Sequence, residues 1–133
     1  MKSKRIRFNR LLKIMEKLLS KDGCPWDREQ THKTLLKHLE SEVKEFKIAV
    51  RNRDFENMKE ELGDILLQVV FHCEIAKKKK KFDISDVIDL LISKLVRRHP
   101  HVFGNASVKN SDDVVKQWNK IKKMEAKWKY QKK

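Results

Sequence analysis

Two acidic pairs, Glu42/Glu45 and Glu61/Asp64, constrain this chain more than any other feature. Each pair is spaced i, i+3, which puts its two carboxylates on one helix face. Between them stands Asn52-Arg53-Asp54, a polar turn with Asp54 placed to cap a following helix. The pair midpoints lie equally far before and after Arg53, so two helices folding back antiparallel through that turn bring four carboxylates to one height. Carboxylates about 5 Å apart repel by about 3 kcal/mol per pair at an effective dielectric near 20. The pattern calls for a cation.

The segment carrying the second pair is nearly apolar all round from Leu62 to Ala76, so a helix over Phe55–Lys77 is expected to be central or buried between subunits. One narrow polar line runs through it: Asn57, Glu61, Asp64, Gln68 and His72. Burying ionised carboxylates without partners is costly, so the line predicts a metal, a cationic partner or a wet cavity. A hydrogen-bonded seam that fixes helix register is the plainer alternative. Two acids in so apolar a helix favour the metal. His72 by itself reads as a seam residue rather than a ligand.

Three Gly and two Pro in 133 residues, among mostly helix-favouring side chains, predict an all-α helical bundle in one domain spanning 1–133. Its basic ends, 1–7 and 129–133, are expected to fray. The formal net charge of +14 implies an anionic ligand and brings nucleic acid into question as a partner. Lysine runs such as Lys77 to Lys81 read instead as solvated surface, and nucleic acid leaves the acidic line unexplained. No apolar run is long enough to span a membrane, so no membrane partner is expected. Cys24 and Cys73 read as reduced thiols of a cytoplasmic protein, Cys73 in the core and Cys24 near a turn. A zinc site from Cys24 with His32, or from His99 and His101, lacks ligand spacing.

About five helices are expected. The first covers about Phe8 to Leu19, with Phe8, Leu11, Leu12, Met15, Leu18 and Leu19 as its stripe. After Asp22-Gly23, Asp27 and Gln30 read as a capping box for a helix over Arg28–Arg51, with Trp26 covering the bundle end. That helix should bury Leu35, Leu36, Leu39, Val43, Phe46 and Val50, leaving Ile48 outward and Glu42 and Glu45 on the shoulder. A fourth helix begins after a polar cap at 82–86 and runs to about Arg98, where Pro100 stops it. On its wheel Lys94 and Arg98 point toward the apolar face and Arg97 away; two inward cations suit a phosphate chain or the acidic seam. Residues 101–105 read as a turn. Ser111, Asp112 and Asp113 cap a last helix that buries Val114, Trp118, Ile121 and Trp128, with Lys122 one turn after Trp118. Spacing alone favours packing for Trp118 over contact with a base.

Three blocks carry a resemblance. Gly23-Cys24-Pro25-Trp26-Asp27-Arg28-Glu29-Gln30-Thr31-His32, Glu61-Leu62-Gly63-Asp64 leading into 66–72, and Arg97-Arg98-His99-Pro100-His101-Val102-Phe103-Gly104 stand in this order. The chain resembles the MazG family of nucleoside triphosphate pyrophosphohydrolases over about Phe8 to Trp128, and so large a set of motifs is far more specific than one acidic pair. The resemblance implies the all-α MazG-like fold, a homodimer or homotetramer, dependence on Mg²⁺ with Mn²⁺ as a substitute, and hydrolysis of a nucleoside triphosphate to monophosphate and pyrophosphate. It implies housecleaning of the nucleotide pool. Many family members carry two such domains in tandem, and this chain resembles the half with the Cys-Pro-Trp-Asp loop.

By the same resemblance Glu42, Glu45, Glu61 and Asp64 are the metal ligands and catalytic residues; one of these carboxylates, Glu42 among them, is expected to take a water proton, and the sequence leaves open which. Lys94, Arg98, Trp118 and Lys122 are the substrate contacts. Ser41 stands where the family motif has its first Glu, which removes one acidic group, and Glu40 lies about a quarter turn away from that position. The rival reading is a catalytically weak or silent MazG-like oligomerisation module.

Overall fold

The computed structural model describes residues 3–131, and among them seven α-helices and no strand. In chain order these are α1 (Lys4–Leu18), α2 (Pro25–Glu29), α3 (His32–Arg51), α4 (Phe55–Lys78), α5 (Ile84–Arg98), α6 (Pro100–Phe103) and α7 (Ser111–Gln131). Five are substantial; the two short ones replace segments expected to be loop or turn. No described helix is long and apolar enough to cross a membrane. The chain divides into two units, Met1–Ile84 and Ser85–Lys133.

In the first unit, α1 starts at Lys4, four residues before the expected Phe8, because the Ser3 hydroxyl accepts from the Ile6 N–H at 3.2 Å and caps it. Of the ends expected to fray, 1–7 and 129–133, residues 4–7 are helical in α1 and 129–131 in α7, while residues 1–2 and 132–133 lie outside the described residues. Gly23 turns the chain after α1. A Cβ there would stand 2.2 Å from the Leu18 carbonyl oxygen and 2.3 Å from that of Lys17, while the Cys24 N–H donates to Leu18 O at 2.8 Å. Gly23→Ala is therefore expected to cost roughly 1–3 kcal/mol through overpacking against backbone. Its urea midpoint should fall; an unchanged midpoint would contradict the close approach.

The expected capping box at Asp27 and Gln30 is corrected. Pro at the first position nucleates the short α2, Asp27 lies inside it, and Gln30 ends it. The box sits four residues on: the Thr34 N–H donates to Thr31 Oγ1 at 3.1 Å and the Thr31 N–H to Thr34 Oγ1 at 2.8 Å. α3 thus begins at His32, not Arg28.

The turn between α3 and α4 forms as the spacing predicts. Arg53 takes a left-handed φ of 51°, the Asp54 N–H donates to Ala49 O at 3.0 Å, and the Asp54 carboxylate caps α4 by accepting from the Asn57 N–H at 3.2 Å. The two helices pack against each other, and α1 packs on α4. The core is Met15, Leu19, Leu35, Val70, Phe71 and Ile75, with Leu11, Leu12, Leu18 and Ile84 against it.

Several residues expected inside are not. Leu36, Val43 and Val50 on α3 are exposed, as are Leu62, Leu66, Leu67 and Val69 on α4; Leu39 and Phe46 are half-buried. The core takes α4's C-terminal half, and its N-terminal half keeps an apolar face uncovered. Gly63 lies in that half, with nothing within 4 Å of where a Cβ would stand.

The second unit takes almost all of α5, with α6 and α7. α5 ends at Arg98 and Pro100 opens α6, so the expected turn at 101–105 is in part a helical turn. The cap of α7 is Asn110 rather than Ser111: its Oδ1 accepts from the Asp113 N–H at 3.0 Å. Val114 and Ile121 are half-buried, whereas Trp118 and Trp128 are exposed. The buried residue on α7 is Glu125.

Candidate active site

Antiparallel packing of α3 on α4 brings Glu42, Glu45 and Glu61 together, with one carboxylate oxygen from each within 4.8 Å of the others. This is the only such group of three or more acidic, His or Cys side chains among the described residues; neither suggested zinc set forms one. Asp64 is outside the group, yet its charge helps raise the pKa of Glu42. Glu40 and Ser41 are exposed and also outside it.

The cluster is electrostatically unsatisfied. Oε2 of Glu42 and Oε2 of Glu61 are buried without a hydrogen-bond partner. Burial first, then the charges of Asp64 and Glu45, push the Glu42 carboxyl above its ordinary range. The Glu42 carboxyl beside it, then burial, push Glu61 up to about 7. The donor set is all oxygen and no cationic side chain is paired with it among the described residues. Hard carboxylate oxygens with unpaired buried lone pairs fit a hard divalent cation such as Mg²⁺.

The polar line continues along α4. Gln68 is buried and its Oε1 has no partner. His72 stacks on His32 with ring centroids 5.0 Å apart and Nδ1···Nδ1 at 2.7 Å, while its Nε2 is buried and unpartnered. The expected seam residue is thus satisfied on one side only, and burial, then His32, lower its pKa. Trp26 is half exposed and meets His38 edge-on at 5.8 Å. Both line a cavity of about 250 Å³ with Asp27, Gln68, Phe71 and Glu42, which joins this space to the carboxylates.

In the second unit two of the expected substrate residues, Arg98 and Lys122, meet at a third, Trp118, and Lys94 does not join them. The guanidinium carbon of Arg98 lies 6.0 Å and Lys122 Nζ 5.1 Å from the Trp118 ring centroid. Lys94 lines a separate cavity of about 330 Å³ with Arg97, Glu125 and Trp128. Arg97 does not point away, as the wheel implied. Its Nε and Nη2 each donate to Glu125 Oε2 at 2.8 Å, and Arg98 Nη2 donates to Glu125 Oε1 at 2.8 Å.

Glu125 was missed in the sequence, although it stands seven residues after Trp118 and three after Lys122 on the same face. Arg98, then Arg97, hold its carboxyl down at about 2, below the ordinary 4.5. A depressed acid contributes stability above pH 4.5 that is lost as pH falls through 2. The wild-type melting temperature is expected to fall between pH 4.5 and 2, and Glu125→Gln to show a flatter profile over that window. Parallel profiles would refute the pairing.

An all-α chain whose α3–α4 hairpin gathers carboxylates and whose α5 and α7 gather cations around an exposed indole belongs to a narrow class. Residues 30–103 match the MazG nucleotide pyrophosphohydrolase domain, and the chain belongs to that family. It is 50% identical over 125 residues to the nucleoside triphosphate pyrophosphohydrolase/pyrophosphatase MazG of Thermotoga maritima, covering 94% of this chain and 48% of that protein. To the nucleoside triphosphate pyrophosphohydrolase of Escherichia coli K12 it is 42% identical over 117 residues, 87% of this chain and 44% of that one. The chain thus spans about half the length of these curated relatives or a little less. The crystal structure of a mazG-related protein from Thermotoga maritima superposes with a TM-score of 0.73 at 31% identity, over 86% of this chain and 98% of that one.

Proposed function

We propose that this chain is a Mg²⁺-dependent nucleoside triphosphate pyrophosphohydrolase that yields nucleoside monophosphate and pyrophosphate. The observation that carries the reading is the pair of buried, unpartnered oxygens, Glu42 Oε2 and Glu61 Oε2, inside a three-carboxylate cluster. The family match and the activity that the relatives are named for support the substrate class. The match over 30–103 runs across Ile84, which supports one functional domain made of both units.

Glu42, Glu45, Glu61 and Asp64 would hold the cation. When bound, Mg²⁺, or Mn²⁺ in its place, supplies Lewis acidity and charge neutralisation at the α-phosphate. Lys94, Arg98 and Lys122 neutralise the phosphate chain and the charge that develops on the leaving pyrophosphate. Trp118 offers an aromatic face to the nucleotide. Water attacks the α-phosphorus in line, the bond to the bridging oxygen breaks, and that oxygen leaves with its electron pair in pyrophosphate. The water proton passes to the cluster, at Glu42 Oε2.

Self-association as a homodimer or homotetramer belongs to the same proposal. Leu62, Leu66 and Val69 form an exposed apolar row on α4, and Gly63 beside it leaves room for another backbone. A cytoplasmic place and housecleaning of the nucleotide pool belong to the same proposal, with Cys24 and Cys73 read as reduced thiols.

The test is pyrophosphate release from a panel of ribo- and deoxyribonucleoside triphosphates, with Mg²⁺ and with chelator. Release together with monophosphate, lost on chelation, is the expected result. No release from folded, oligomeric protein would replace the enzyme reading with the silent oligomerisation module.

A further inference from the structure

We infer that Glu125 is a positioning residue, which fixes the guanidinium of Arg98 beside Trp118 so that its remaining edge meets the phosphate chain. The inference rests on the triphosphate reading above. Glu125 is 7% exposed, and it sits on the same face of α7 as Trp118 and Lys122. Arg98 faces it side-on: Nη2 donates to Oε1 at 2.8 Å, and Nε lies 3.2 Å from Oε1 and 3.3 Å from Oε2. That side-on pair leaves the Nη1 amino group outside it. The guanidinium stays in a plane fixed by the carboxylate, with its carbon 6.0 Å from the Trp118 centroid.

Charge gives the second reason. Arg97 and Arg98 are consecutive, and both converge on this one carboxylate. Without it two guanidinium groups would crowd each other and turn apart toward solvent. With it the cluster of Arg97, Arg98, Lys122 and Glu125 keeps a net positive charge on ordered side chains. Arginine has much rotamer freedom to lose on meeting a phosphate, and a guanidinium already held loses less of it then. Arg97 takes the outer position, 5.9 Å from the Trp128 ring, and buttresses the carboxylate.

A positioning role and a merely structural one differ in what they change. Glu125→Gln is expected to raise KM for the nucleoside triphosphate roughly tenfold while kcat stays within about twofold, the scale of one rotamer-rich side chain set free. Glu125→Asp keeps the charge and should recover part of the loss. In an Arg98→Ala background the same Glu125→Gln change should do nothing further to KM. Binding of inorganic tripolyphosphate, followed by calorimetry, should weaken in parallel. Where Glu125→Gln fails to fold, Glu125→Asp and the Arg98→Ala comparison carry the test. Unchanged KM and tripolyphosphate affinity in a folded Glu125 variant, or an equal loss with and without Arg98, overturns this inference alone. A wild type that neither turns over nucleoside triphosphates nor binds tripolyphosphate overturns the enzyme reading and this inference with it.

Discussion

Glu61→Gln is expected to lower Mg²⁺-dependent pyrophosphate release by roughly a hundred- to thousandfold, the scale on which one electrostatic group in a reacting centre counts. The fold should survive. Glu61 belongs to a group of like charges crowded on the α3–α4 hairpin, and its carboxyl holds a proton up to about 7. Replacing it with a neutral amide of the same shape removes repulsion rather than packing. The variant should therefore melt no lower than wild type at pH 8 without metal, and should lose most of the stabilisation that Mg²⁺ brings. Full activity in folded Glu61→Gln would remove Glu61 from the site.

The second large effect is the metal's own. Mg²⁺ at roughly a hundred times its Kd is expected to stabilise the protein by about 2.7 kcal/mol, near 10 °C in Tm for a chain of this length. The effect should depend on pH in a defined direction. Glu61 is raised, so between pH 4.5 and 7 the unfolded chain has already lost a proton that the fold retains, and metal-free stability declines as pH rises through that window. Cation binding requires the ionised form. The shift produced by Mg²⁺ should therefore be large at pH 8 and small at pH 5.5, as read by calorimetric melts with and without chelator. An equal shift at both values would place the binding elsewhere.

How much of this was legible in the sequence depended on the range of the interaction. The hairpin was legible because its determinants are local. Asn52-Arg53-Asp54 fixes the turn, and helical period then brings Glu45 and Glu61, each eight residues from Arg53, together with Glu42; Asp64, as far after Arg53 as Glu42 is before it, stays outside the group. α4 was placed to within a residue at its C-terminus. Apolar pattern was a poorer guide to burial. Leu36, Val43 and Leu62 carry the helical period of a core face yet are exposed in this chain, because the pattern records that a surface is to be covered and not by what. Capping was misplaced at Asp27 because two signals lay four residues apart, and Pro25 had already opened α2. Glu125 escaped notice because an acid near the end of a lysine-rich helix looks solvated. Only the convergence of Arg97 and Arg98 from another helix shows it to be buried.

The two thiols, placed correctly by their neighbours in sequence, have a practical consequence. Cys73 is 6% exposed in α4, and burial, then the charge of Asp83, raises its pKa, so little thiolate is present and no reagent reaches it in the folded state. Cys24 stands half-buried at the start of α2, beside Pro25 and Trp26. A maleimide dye should label the native protein once, at Cys24, with no cysteine removed by mutation. The second equivalent should enter only on unfolding. The chain thus carries its own reporter next to the Trp26 cavity, and the arrival of that second label provides a direct clock for global opening.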